Sequence, residues 1–198
     1  MLNLHNMAAD TPPKKRRSPI TRAEGERRLV EAAYQLTQDR PISEVGVREI
    51  AALADVNAAF VHTWFGSKNE LLIAVVKQQL TEIAADAVRA APGTAALNFG
   101  DPKLLSTIRL LLWLQLEGVE IQNLFDNKII LDTLTKRFIE IENIDPKIAR
   151  QAATIAISMG LAIGSFAPML EMTGVTDIQP VMDLWRHILS LLAKYPPQ

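Results

Sequence analysis

Residues 44–72 read EVGVREIAALADVNAAFVHTWFGSKNELL, and this stretch decides the fold. Val47, Ile50, Ala51 and Ala54 fall at helical spacing and give a short segment of about two turns one apolar face. Asp55-Val56-Asn57 then interrupts the pattern. Asp and Asn both tolerate left-handed backbone and bond it locally, so they suit a tight turn. Asn57 can cap a second short helix, from which Phe60, Val61 and Trp64 are expected to pack inward. Ser67 with Glu70 forms a capping box that opens a further helix. Two short helices joined by a tight turn, next to a basic helix, match a helix-turn-helix. Many helical bundles also contain short angled helices, so spacing by itself leaves both readings open.

Working outward, helix starts recur and strand signals are nearly absent. Thr21 with Glu24 and Thr176 with Gln179 repeat the capping box. Asp101-Pro102 and Asp145-Pro146 each set an N-cap acid before a proline at the first helical position. Leu29, Ala33 and Leu36 share a face, as do Val181, Leu184, Ile188 and Leu191. No Asn-Gly or Asp-Gly hairpin turn occurs. The expected fold is all-α, with helices near 21–38, 46–53, 57–63, 68–90, 102–123, 126–142, 146–172 and 177–194. The division is a basic flexible arm over 1–20, a head over 21–84 and a helical body over 85–198.

The 198 residues include no Cys, which excludes a disulfide framework, a thiolate nucleophile and Cys-ligated metal. The expected location is the cytoplasm. Net charge is -1, yet its distribution is uneven. Residues 14–28 carry seven basic and two acidic residues, whereas 85–198 carry ten and twelve. The front is therefore where phosphates would be met. No apolar stretch follows the first basic residues, so no signal peptide is expected there. Ala152–Leu170 is nineteen residues without a charge, long enough to span a membrane. Its small residues and Pro168 favour a buried helix, and no membrane partner is expected.

On the residues just quoted, the chain resembles the TetR family of transcriptional regulators. The resemblance rests on a basic residue before an apolar helix (Arg28 onward), then Ile50-Ala51 through Ala54-Asp55-Val56-Asn57. It continues with Val61-His62 through Phe65, Ser67-Lys68 and Leu71, and covers roughly Thr21 to Leu80. Asp55 stands where the family usually has glycine, His62 where it has tyrosine, and Trp64 where it has histidine. Asn57–Trp64 contains no Arg or Lys, so the common arginine-to-guanine contact is missing from that helix. The resemblance implies double-stranded DNA as a partner. It places Arg22, Arg48 and Lys68 on phosphates, and turns Asn57, Ala58, Ala59, His62 and Thr63 toward the major groove.

For the body, the resemblance implies a homodimer built from the last two helices of each subunit and a small-molecule effector site. The small residues Ala152, Ala156, Gly160 and Gly164 recur every four positions and admit a close helix neighbour. They are dimer-interface candidates with Leu184 and Ile188, although packing within one subunit would use the same stripe. The 102–123 segment is apolar nearly all round and reads as a central, buried helix. Trp113, Leu116, Glu117, Phe125, Ile155, Met159 and Phe166 are the candidate pocket residues, with Gln115 as a further polar group, and they imply a mostly apolar ligand. No cofactor and no metal are expected. The three His are scattered, and no GxSxG, HExxH, GxGxxG or P-loop pattern occurs. Glu117 and Glu120 stand at i, i+3 but have no supporting groups, so an enzyme is not expected. The remaining alternative is a helical protein-interaction module without specific DNA binding.

Overall fold

The computed structural model describes residues 20–92, 100–121 and 129–195. Eight α-helices run through these residues in chain order: α1 Arg22–Asp39, α2 Val47–Leu53, α3 Ala59–Phe65, α4 Lys68–Arg89, α5 Pro102–Leu116, α6 Ile129–Glu140, α7 Pro146–Met172 and α8 Gln179–Lys194. A 3-10 turn, Ile42–Glu44, leads from α1 to α2. Among the described residues there is no strand.

Local chemistry sets most of the boundaries. Thr21 Oγ1 accepts from Glu24 N–H at 3.3 Å and Ser67 Oγ from Glu70 N–H at 3.1 Å, so both caps form. Asp101 and Asp145 accept from the N–H of Lys103 and Lys147, each ahead of its proline. The expected cap at Thr176 does not form: Asp177 accepts from Gln179 N–H at 2.8 Å instead. Helix α5 ends at Leu116, seven residues before its expected limit. Gly118 takes φ +83° there, and Val119 N–H reaches back to the Leu114 carbonyl, which closes the helix.

Two hydrophobic clusters hold these helices. The head cluster gathers Leu29, Ala33, Val45, Ile50, Val61, Leu71 and Val75 from α1 to α4. The body cluster gathers Ile83, Leu104, Ile108, Leu134, Phe138, Ala149, Ala153, Trp185 and others. Leu110 and Leu114 of α5 belong to the head cluster, while Leu104 and Ile108 belong to the body cluster. One helix therefore serves both cores. It is less buried than its composition suggests, with Leu116 78% exposed.

Helix α7 carries the small-residue stripe, and the stripe is used inside the chain. Ala152 and Ala156 are buried in the body cluster and Gly160 is buried too. A Cβ on Gly164 would come within 2.6 Å of Ile108 Cδ1, so this glycine sets how closely α7 crosses α5. These four residues are therefore not at an exposed interface, which corrects their assignment to one. The opposite face of α7 is open, with Ile155, Leu161, Phe166, Met169 and Met172 all exposed. The helix kinks at Phe166 (φ −121°, ψ 17°), two residues before Pro168, which has no N–H for the ladder. Pro146–Phe166 is long and apolar enough to cross a membrane, yet its stripe packs on α5 and α6.

A buried arginine fixes the end of α4. Arg137 donates to the Ala90 and Ala91 carbonyls at 2.8 and 3.0 Å and pairs with Glu142 at 2.7 Å, with its side chain fully covered. It thereby gives partners to the carbonyl of the α4 C-cap, Ala90, and to that of the residue after it.

Gly164→Ala is expected to destabilise the fold by about 1–3 kcal/mol, the usual cost of overpacking a fitted core. Urea unfolding at fixed protein concentration would measure it. An unchanged midpoint would show that Ile108 can give way.

Candidate nucleic-acid interface

The turn between α2 and α3 is built as its residue types require. Asp55 takes φ +55°, its N–H donates to the Ala52 carbonyl, and Val56 N–H donates to the Ala51 carbonyl at 2.9 Å. This is a Schellman closure with aspartate in the left-handed position that glycine usually fills. Asn57 Oδ1 then accepts from Ala59 N–H at 2.9 Å, so its side chain caps α3.

Helix α3 lies on the head surface with only Val61 fully buried. Asn57, Ala59, Phe60, His62 and Thr63 are exposed and Ala58 is half-buried. Thr63 Oγ1 donates to the Ala59 carbonyl at 3.0 Å, leaving its methyl as an apolar contact. His62 Nδ1 lies 3.3 Å from the Gly66 carbonyl oxygen; a proton on Nδ1 closes that bond and leaves Nε2 as an outward acceptor. The five residues expected to face a groove therefore share one short helix and its cap.

Phe60 is a correction and an addition. It does not pack inward: it is 36% exposed and stacks on Trp64, with ring centroids 4.3 Å apart and 3° between planes. Trp64 in turn lies over α1, where a Cβ on Gly25 would come within 2.4 Å of the indole Cζ3. Gly25 thus admits Trp64, Trp64 supports Phe60, and an aromatic edge stands among the exposed residues of α3. The i, i+4 spacing of Phe60 and Trp64 was available in the sequence; the role of Gly25 was not.

The cations divide into engaged and available. Arg22 pairs with Glu26 at 2.6 Å on the exposed side of α1. Arg27 and Arg28 both pair with Glu24, at 2.9 and 2.7 Å. Hydrogen bonds from Arg27 first, then Arg28, lower the Glu24 pKa to about 2. Any stability this gives is complete above the ordinary value of 4.5 and fades as pH falls toward about 2. Arg48, near the start of α2, is exposed and makes no ion pair or hydrogen bond among the described residues. The basic arm before residue 20 lies outside the described residues.

Lys68 does not stand free as a phosphate anchor. Its Nζ donates to the Ile42 carbonyl at 2.9 Å and sits 5.2 Å from the centre of the Trp113 ring. Burial pushes its pKa down, against an opposing pull from Glu117. The ammonium joins the α1–α2 connection to α5.

The six pocket candidates among the described residues do not gather at one place. Trp113 is engaged with Lys68 and the head cluster, and Leu116 and Glu117 are exposed at the end of α5. Ile155 and Phe166 are exposed on the open face of α7, with Gln115 exposed on α5. Met159 packs on the body cluster, and Phe125 lies outside the described residues. The residue types suggested a lining; their directions were set by which core each helix face met.

Comparison with known proteins matches this geometry. Residues 29–75 match the family described as bacterial regulatory proteins, tetR family. The HTH-type transcriptional regulator BetI of Rhizobium meliloti (strain 1021) is 37% identical over 83 residues, covering 42% of this chain and 39% of that protein. The chain thus aligns with about two fifths of the length of that curated relative. Salmonella enterica GusR shares the fold at a TM-score of 0.58 with 16% identity, over 86% of this chain and 95% of its own. AlkX, a TetR family repressor from Dietzia sp. strain DQ12-45-1b, follows at 0.52 and 22%, over 86% and 94%.

Lys68→Ala is expected to lower stability by about 1–2 kcal/mol, since it removes one hydrogen bond and one cation–π interaction. Thermal and urea unfolding would measure it. A stability equal to the parent chain would return Lys68 to the role of a free phosphate anchor.

Proposed function

We propose, for a chain whose residues 29–75 match the tetR family of bacterial regulatory proteins, that it is a DNA-binding transcriptional regulator working as a homodimeric repressor. The observation that carries this reading is α3. It is capped by Asn57, propped on α1 through Trp64 and Gly25, and presents Asn57, Ala59, Phe60, His62 and Thr63 to solvent on one short helix. A helix held at its base and polar-to-apolar at its tip is what major-groove readout needs. The side chains favour methyl and amide contacts over arginine-to-guanine pairing, so an A·T-rich half-site suits them. Arg48 and Arg22 would hold the phosphates to either side.

Dimerisation is supported by what the protomer leaves uncovered. On α7, Ile155, Phe166 and Met169 are exposed; on α8, Leu184 is 58% and Ile188 37% exposed, beside Val181 and Leu191. Met182, Trp185 and Leu189, on the opposite face of α8, fill the body cluster. A helix apolar on two faces, one of them in water, calls for a second surface. A twofold partner would place two α3 helices for successive major-groove faces. Release by a small ligand is the regulatory form that the family resemblance implies, although the six described candidate lining residues do not gather at one place.

The test is a gel-shift titration with DNA from upstream of the chain's own gene, against excess unrelated competitor. A competitor-resistant shift with steep salt dependence is expected, with a slope of about −0.9 per phosphate neutralised. Arg48→Ala should weaken binding across sequences and reduce that slope by about 1. A flat salt response would overturn the reading in favour of a helical protein-interaction module. Separately, Leu184→Glu is expected to turn a dimer into a monomer in sedimentation while leaving the helical signal intact. A monomeric parent chain would overturn the dimer.

A further inference from the structure

At the junction of head and body lies a half-open cleft of about 360 Å³, lined by Thr37, Gln38, Arg40, Pro41, Ile42, Ser106 and Arg109. Its size is at the small end of those that hold metabolites. One wall is the end of α1 and the connection to α2; the other is α5.

The spare donors in this cleft belong to its two arginines. Arg109 is exposed and has no acidic partner among the described residues. Arg40 spends one guanidinium nitrogen on Glu49 and keeps its others. The Gln38 Nε2 amide is buried and has no acceptor. Thr37 and Ser106 give their hydroxyl protons to the Tyr34 and Lys103 carbonyls, so toward the cleft they can only accept, and they add nothing to the binding of an anion. Counting Glu49 against the two arginines leaves a net charge of +1. A planar guanidinium without a partner matches a carboxylate through two parallel N–H···O bonds. The Gln38 amide nitrogen, closed off from solvent, lies behind the cleft surface and is not a contact for its occupant. Pro41, Ile42 and the arginine stems supply a modest apolar surface for the remainder of such a ligand.

We propose that this cleft binds a small organic monocarboxylate, its carboxyl group on Arg109 and its apolar part against Pro41 and Ile42. The site joins elements that Lys68 also joins: Ile42 gives its carbonyl to Lys68, and Trp113 follows Arg109 by one turn on α5. A ligand there would bias how the head sits on the body. That consequence rests on the DNA-binding reading; the binding itself does not.

The experiment uses the full chain at constant ionic strength, titrated calorimetrically with butyrate and benzoate, and with butyramide and benzamide as neutral counterparts. Inorganic phosphate serves as the generic anion. Saturable binding of at least one carboxylate is expected, at least tenfold tighter than its amide and than phosphate. Arg109→Ala should weaken it tenfold or more and Arg109→Lys less; circular dichroism would establish that each variant folds. Equal binding of acid and amide, equal binding of phosphate, an unaffected Arg109→Ala variant, or no saturable binding of either acid would each overturn the proposal. Carboxylate uptake by a chain that fails to hold DNA would support the cleft while removing the DNA reading.

Discussion

Helix α5 is the constraint on which the arrangement depends. Its first half, through Leu104 and Ile108, is packed into the body, and its second, through Leu110 and Leu114, is packed into the head. A helix is stiff over fifteen residues, so the two cores cannot move independently without disrupting the packing at one end of it. Gly164 matters because it lets α7 approach α5 at Ile108, and Lys68 matters because it ties the opposite end of α5 to the α1–α2 connection. The long helix α4 also joins head to body, but α5 makes the join two-sided. Any signal between body and head has two routes, and one of them passes Arg109, Trp113 and Lys68.

That division explains which features were legible in the sequence. Thr21, Ser67, Asp101 and Asp145 cap their helices because the bond each makes closes within three residues, where tertiary packing has little say. Asp55 entered the left-handed region as its residue type allowed, within the same short range. The head could be recognised because its function-bearing helices are short and their spacing is fixed by local turns. The exception, Thr176, lost its role to Asp177 one position away, and a local pattern cannot rank two adjacent acceptors.

Features that needed a distant partner were not legible. Lys68 has the charge of a phosphate anchor, and only the fold brings the Ile42 carbonyl 26 positions away within its reach. The small-residue stripe on α7 announces a close neighbour without saying whether it belongs to the same chain; Ile108 answers that. Gly25 gave no sequence signal as a seat for Trp64. The described pocket candidates are dispersed for a related reason. Residue type predicts that Trp113, Ile155 and Phe166 avoid water, but not that α5 turns Trp113 to the head while α7 leaves Ile155 and Phe166 outside.

The exposed residues then carry the weight that the buried ones do not. The protomer fills its body core with one face of α8 and leaves the other apolar, so its fold is complete while its surface is not. If α7 and α8 bury that face against a second copy, the position of each head is referred to the partner through the body. The tilt of α5 then changes the distance between the two α3 helices, because both cores hold it. In such a dimer, a stiff two-core helix would convert a small displacement at Arg109 or Trp113 into a change of spacing that a DNA half-site can read. A head on a flexible tether would forfeit that conversion, since its orientation would be averaged before it reached the groove.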